Sequence, residues 1–228
     1  MFPRRSRTLW LASLALVGLA GCERIEPVAN AGSSGPRTDP QPDDPADFGA
    51  LPDFHLTDQR GRSIALADLR GRPLVIGALY STCTGPCPTV ARGLARLQDE
   101  LRATDVVLIV VSVNPGFDTP EVLARYAEHL GADPERWLFL SGPESEVHAL
   151  VRQGFYLAVA RAEPGAAGGD PLTHDVRLLA VDRRGHRRGW YTGTDEHELE
   201  RLRRRMLHLV AESAAAEPAA PADAPAPR

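Results

Sequence analysis

Lysine is absent: all 26 Lys-plus-Arg positions in the 228 residues are arginine. A Schiff base on a side-chain amine is therefore excluded, and so is a phosphate-loop lysine. Aromatic residues are few, at 6%, and there are 3 cysteines. The net charge is −4, which carries no nucleic-acid signature. No internal repeat is present. The apolar run at residues 8–20 is too brief for a spanning helix.

That run has a purpose nonetheless. Arg4, Arg5 and Arg7 precede it as a basic n-region, and it ends in Leu19-Ala20-Gly21-Cys22. This arrangement resembles a bacterial lipobox, with residues 1–21 as a lipoprotein signal peptide and Cys22 as the lipid-carrying residue. An ordinary secretory signal with a chance cysteine is the plainer reading. Small residues and Cys fall where the apolar region stops, which favours the lipobox. On either reading the chain is expected outside the cytoplasm, in an oxidising compartment.

Composition divides what remains. Residues 22–48 are rich in Pro, Gly, Ser and Asp and read as a flexible tether. Residues 211–228 form an Ala/Pro run expected to be disordered. Residues 49–210 are long enough for one domain with a real core. There, a hairpin is expected around Asp58-Gln59-Arg60-Gly61, and buried strands over residues 73–79 and 106–113. Pro88 marks a helix start, and Val90, Leu94, Leu97 and Leu101 make one apolar stripe. Thr119-Pro120 caps a helix that Gly131 stops. Residues 137–140 suggest a short strand, 143–152 a helix, and 155–160 and 176–181 strands. Asp182-Arg183-Arg184-Gly185 turns into a strand over residues 187–192. Asp195 and Glu198 suggest a capping box for a last helix with Leu199, Leu202, Met206 and Leu209 inward. Buried runs alternating with helices predict parallel crossovers, and the hairpins predict antiparallel additions. The expected fold is a three-layer α/β domain with a mixed central sheet and an N-terminal β-hairpin.

Chemistry concentrates in Tyr80-Ser81-Thr82-Cys83-Thr84-Gly85-Pro86-Cys87-Pro88. A dithiol between a buried strand and a helix N-terminus is placed where thiolates form readily. A structural disulfide is the plain alternative, but so short a loop removes little unfolded-chain entropy. Two functional readings stand. In thiol–disulfide exchange, Cys83 would attack and Cys87 would resolve. In a metal site, both thiolates would bind and a third ligand is needed. Two thiolates and one imidazole suit copper, whereas zinc normally wants a fourth ligand.

The sequence offers 7 histidines. His129, His148, His197 and His208 fall on helices, with solvated or half-buried faces. His55 alternates away from Phe54 and Leu56. His186 lies in the turn Arg-Gly-His-Arg-Arg. His174 follows the loop at residues 163–171 and directly precedes the strand at 176–181. If that strand lies beside residues 73–79 and parallel to them, its end faces the dithiol. Position alone does not separate a ligand from a structural histidine here.

Cys83-Thr84-Gly85-Pro86-Cys87-Pro88 resembles the CxxxCP motif of the Sco/SenC family of copper-binding, thioredoxin-like proteins. The stretch from Val111 through Asn114-Pro115 to Asp118-Thr119-Pro120-Glu121 is similar to that family's VSVDP and DTPE pattern, and Gly131-Ala132-Asp133-Pro134-Glu135-Arg136-Trp137 continues the match. The similarity covers roughly residues 51–209. Asn114 stands where the family usually has Asp. The family often carries acidic residues and a Tyr before its His, where this chain reads Gly165-Ala166-Ala167-Gly168-Gly169-Asp170-Pro171-Leu172.

The resemblance implies a thioredoxin-like fold with copper held by Cys83, Cys87 and His174. It places His174 where thioredoxin-type oxidoreductases carry a cis-proline, Pro171 being three residues too early. The peroxiredoxin pattern around a single reactive Cys is absent. The implied role is copper delivery to, or thiol reduction of, the dinuclear copper centre of cytochrome c oxidase. The implied partners are a copper-receiving respiratory oxidase subunit or other copper protein, a thiol reductant, and a membrane reached through the lipid on Cys22. A thiol–disulfide oxidoreductase without stable metal is the alternative, with Cys83 and Cys87 as its redox-active pair.

Overall fold

A computed structural model describes residues 46–162 and 172–216. Nine strands and five helices follow in chain order. β1 (His55–Asp58) and β2 (Ser63–Ala65) form the N-terminal hairpin and run into a single turn of helix, α1 (Leu66–Leu69). β3 (Leu74–Leu79), α2 (Cys87–Glu100), β4 (Val107–Ser112), α3 (Pro120–His129) and β5 (Trp137–Ser141) make the parallel centre. α4 (Glu144–Ala149) continues into a π-helical turn, Leu150–Gly154. β6 (Val159–Arg161), β7 (Leu172–His174), β8 (Arg177–Val181), β9 (Arg187–Thr192) and α5 (Glu196–Ala216) complete the order.

Seven strands join in one mixed sheet, β2-β1-β5-β4-β3-β8-β9. Every residue of β3, β4 and β5 is buried, so both faces of the sheet are covered and the domain has three layers. Strands buried on both faces read as unbroken apolar runs, which is why periodicity shows no alternation there. The α2 stripe Val90, Leu94, Leu97 and Leu101 is almost fully buried. α2 meets α5 at Gly93, where an added Cβ would lie 2.8 Å from Leu199 Cδ1.

Two aspartates build the two hairpins in the same way. Asp58 Oδ1 accepts from the backbone N–H groups of Arg60 and Arg62 at 2.9 and 2.8 Å. Asp182 Oδ1 accepts from those of Arg184 and His186, each at 2.9 Å. Gly61 and Gly185 take positive φ, at 75° and 84°, as such turns require. Beyond the first turn, the Gln59 amide extends the pairing of β1 with β5. Its Nε2 donates to Trp137 O at 3.0 Å, and its Oε1 accepts from Phe139 N at 2.9 Å.

The expected mixed sheet and hairpins are present, with four corrections. The strand expected over residues 155–160 is confined to Val159–Arg161, because the π-helical turn carries the chain to Gly154. The strand after His174 runs antiparallel to β3, not parallel. The helix-end expectation at Asp195 holds by half. Its Oδ1 accepts from Glu198 N at 3.0 Å, but Asp195 N donates to Thr192 O and the Glu198 carboxylate pairs with Arg201. Finally, α5 continues to Ala216, past the expected boundary at residue 210. At the other end, Phe48 packs its ring on Trp190 with centroids 5.0 Å apart, inside the segment expected as tether. Residues 1–45, with Cys22, and residues 217–228 lie outside the described residues.

Candidate metal centre

The dithiol stands where β3 ends. Tyr80 to Pro86 lead from the buried strand into α2, whose first residue is Cys87, with Pro88 in the first turn. Cys83 has 9% of its surface exposed and Cys87 1%. Both are free thiols. Cys87 thus sits at the positive end of a 14-residue helix, where negative charge is favoured.

Antiparallel pairing brings the third residue in. Leu74 pairs with Val181 and Gly77 with Leu178, so the start of β8 lies by the end of β3. The chain enters β8 from β7, and His174 is the last residue of β7, paired with Val159 of β6. A parallel strand would put this end at the opposite edge of the sheet. His174 Nε2 lies 2.9 Å from Cys87 Sγ and 3.8 Å from Cys83 Sγ. The three candidate ligand atoms all fall within 4.8 Å of one another, and among the described residues no other group of this kind occurs.

Neighbours orient the imidazole. Its Nδ1 is 2.9 Å from the Asp175 carbonyl oxygen, which can only accept. Nδ1 therefore carries the hydrogen and Nε2 presents its lone pair to the thiols. The Tyr80 ring packs edge-on against His174 at 5.5 Å, and its hydroxyl donates to Leu172 O at 3.3 Å. Asp175 shapes the bend into β8, accepting from Arg177 N at 2.9 Å and from the Arg177 guanidinium. Burial alone would raise the Asp175 carboxyl, but the bonds from Arg177 outweigh it and hold it below its ordinary range.

Asp118 is fully buried nearby, and its hydrogen-bond donors are Ser81 and Ser112. Burial pushes the Tyr126 phenol up to about 12, with Cys87, Cys83 and Asp118 adding in the same direction. Two soft thiols and one imidazole lone pair form a donor set suited to a soft cation. A cleft of about 360 Å³ opens beside His174. The larger cleft, about 570 Å³, lies between residues 50–56 and the α4 end and contains none of the three.

Of the residues expected at the site, Cys83, Cys87 and His174 converge. His55, His129, His197 and His208 are exposed or capped by surface partners, His148 contacts Val113 O at 2.8 Å, and His186 pairs with Asp47 at 2.7 Å. Pro171 lies outside the described residues. Tyr80, Ser81 and Asp118 were not singled out from sequence; the Asp-Thr-Pro-Glu stretch was the available signal for Asp118.

Comparison with known proteins agrees with this geometry. The SCO1/SenC family model matches residues 40–208. The SCO1 protein homolog of Bacillus subtilis (strain 168) is 28% identical over 141 residues, spanning 60% of this chain and 70% of that protein. A SCO1/SenC family lipoprotein from Bacillus anthracis str. Ames superimposes with TM-score 0.66 at 24% identity, covering 72% of this chain and 98% of that one. Bradyrhizobium japonicum ScoI, solved with copper bound, gives TM-score 0.57 at 25% identity, covering 69% and 99%.

Proposed function

The chain belongs to the SCO1/SenC family, and we propose that it is a lipid-anchored, extracytoplasmic copper carrier that supplies the dinuclear copper site of cytochrome c oxidase. Copper is the cargo. Cys83 and Cys87 bind it as thiolates and His174 binds through Nε2. The observation that carries this reading is the convergence of those three atoms within 4.8 Å at the end of β3. The copper-bound relative from Bradyrhizobium japonicum supports the choice of metal.

The chain's own groups explain how cargo is held and released. Both thiols must be reduced, because a Cys83–Cys87 disulfide has no thiolate to offer. Asp175 O keeps the His174 hydrogen on Nδ1, so Nε2 needs no tautomer change before binding. The cleft beside His174 leaves room for an incoming ligand from the client. Transfer proceeds by ligand exchange, each client thiolate or imidazole replacing one donor. Lipid on Cys22 keeps the domain at the membrane surface.

A second reading rests on the unequal exposure of the thiols. Cys83, at 9%, is the accessible attacking sulfur, and Cys87, at 1%, is the sheltered resolving one. In that role the Cys83–Cys87 dithiol would reduce a disulfide between the client's copper-site cysteines, ending as a disulfide itself, rather than supply metal. One experiment separates the two. Apo client with its thiols already reduced is mixed with copper-loaded protein under anaerobic conditions. Metal transfer supports the carrier; no transfer, with reduction of an oxidised client by the metal-free protein, supports the reductase.

A further inference from the structure

Asp118 is fully buried, yet each group that donates to it is a neutral serine donor. Ser81 N donates to Oδ2 at 3.0 Å, and the Ser81 hydroxyl donates to Oδ1. The Ser112 hydroxyl donates to Oδ2 at 2.5 Å and accepts from Asn114 N at 3.2 Å. No described arginine or histidine forms an ion pair with it. A buried carboxyl group is costly unless its oxygens find hydrogen-bond partners, and here the two serines supply them.

Two of those bonds come from Ser81, at the start of the dithiol segment, and the third ties Asp118 to Ser112 at the end of β4. Ser81 follows Tyr80, whose ring and hydroxyl meet His174 and Leu172. Ser81 is two residues before Cys83, whose own N–H reaches back to Tyr80 O at only 3.4 Å. The segment's entry is anchored from one side by Asp118 and from the other by Tyr80, which packs against β7.

We propose that Asp118, acting through Ser81, is the positioning residue that holds Cys83 in register with Cys87 and His174. This rests on the copper reading given above. The carboxylate does not touch the metal ligands. It fixes the backbone from which Cys83 projects, while Cys87 is fixed independently by α2. Loosening the anchor should displace Cys83 selectively and leave Cys87 and His174 together.

The test uses the full-length reduced protein and four variants: Ser81→Ala, Ser81→Thr, Asp118→Asn and, as control, Asp58→Asn. Asp58 is also a buried carboxylate, but it organises the hairpin turn far along the chain from the site. Copper affinity is measured by competition with a chelator, the Cu(II) spectrum by absorption and paramagnetic resonance, and Cys83 and Cys87 alkylation by mass spectrometry. Ser81→Ala and Asp118→Asn should lose roughly 10- to 100-fold in affinity, the usual size of outer-sphere effects, with a changed Cu(II) spectrum and faster alkylation of Cys83 but not Cys87. Ser81→Thr, which keeps the hydroxyl, should restore the wild-type values. Asp58→Asn should lower stability without moving the spectrum or the alkylation ratio. If Asp118→Asn fails to fold, Ser81→Ala removes one hydroxyl only and decides the matter alone. Wild-type affinity, spectrum and alkylation ratio in Ser81→Ala would overturn the inference and leave the copper reading intact. A wild-type protein that binds no copper would overturn the copper reading; the alkylation ratio would still judge the anchor.

Discussion

His174 Nε2 lies 2.9 Å from Cys87 Sγ, although 87 residues separate the two in sequence. One element brings them together. β8 runs antiparallel to β3, so the short β7 that precedes it crosses the end of β3 where α2 begins. The dithiol is thus a local feature of one loop, and its convergence with His174 is a product of sheet topology.

Replacing His174 with alanine should leave both thiols in place and remove the imidazole. Copper should still bind, more weakly, and the Cu(II) spectrum should lose its nitrogen contribution. Paramagnetic resonance with competition titration reads both. An unchanged spectrum and affinity would remove His174 from the site.

The first hairpin aspartate, Asp58, makes the fold acid-sensitive in a defined sense. Burial raises the Asp58 carboxyl, but the N–H groups of Arg62 and Arg60 and the Arg62 guanidinium outweigh it and hold it below 3.8. A folded value below the unfolded one means stabilisation present above the unfolded value and lost as pH falls through the folded one. Asp58→Ala should cost about 1–3 kcal/mol near neutral pH, and its unfolding should depend less on pH below about 4 than that of the wild type. Equal acid slopes in denaturant titrations would contradict the assignment.

Gly93 sits in the interior of α2, where alanine would ordinarily stabilise a helix by about 1 kcal/mol. Here the added methyl meets Leu199 Cδ1 at 2.8 Å and Gly193 O at 3.4 Å. Gly93→Ala should therefore destabilise by about 1–3 kcal/mol, with Leu199→Ala in the same chain recovering part of the loss. A stabilised single variant in thermal unfolding would show that α2 and α5 do not approach so closely.

Anchoring is tested by fractionation. Wild-type protein expressed in a lipoprotein-processing host should sediment with membranes and label with a fatty-acid probe. Cys22→Ala should lose the label. A wild-type chain that is soluble and begins elsewhere would end the lipid-anchor proposal.

Much of the fold was legible because burial and periodicity coincide. Leu74 to Leu79 and Val107 to Val111 are apolar throughout and became the doubly covered strands. Val90, Leu94, Leu97 and Leu101 share one face and became the α2 seam. The dithiol was legible from spacing alone, since both cysteines lie in one loop. What escaped depends on partners distant in sequence. The direction of β8 leaves no trace in its composition, because an apolar run pairs either way. β6 and β7 are three residues each, too short to show alternation. The π-helical turn at Leu150–Gly154 carries ordinary helical residues, so the expected strand from Phe155 was placed too early. Asp118 appeared in the sequence only within the Asp-Thr-Pro-Glu stretch, and its contact with Ser81 ties it to the site.

Copper stoichiometry of the reduced protein, compared with that of the Cys83–Cys87 disulfide form, tests the central claim most directly. After desalting, reduced protein should retain one copper per chain and resist alkylation at both cysteines. The disulfide form should retain none, and so should Cys83→Ser and Cys87→Ser, whose hard hydroxyl cannot replace a thiolate. Copper retained equally by the disulfide form, or absent from the reduced protein, would contradict the site assigned to Cys83, Cys87 and His174.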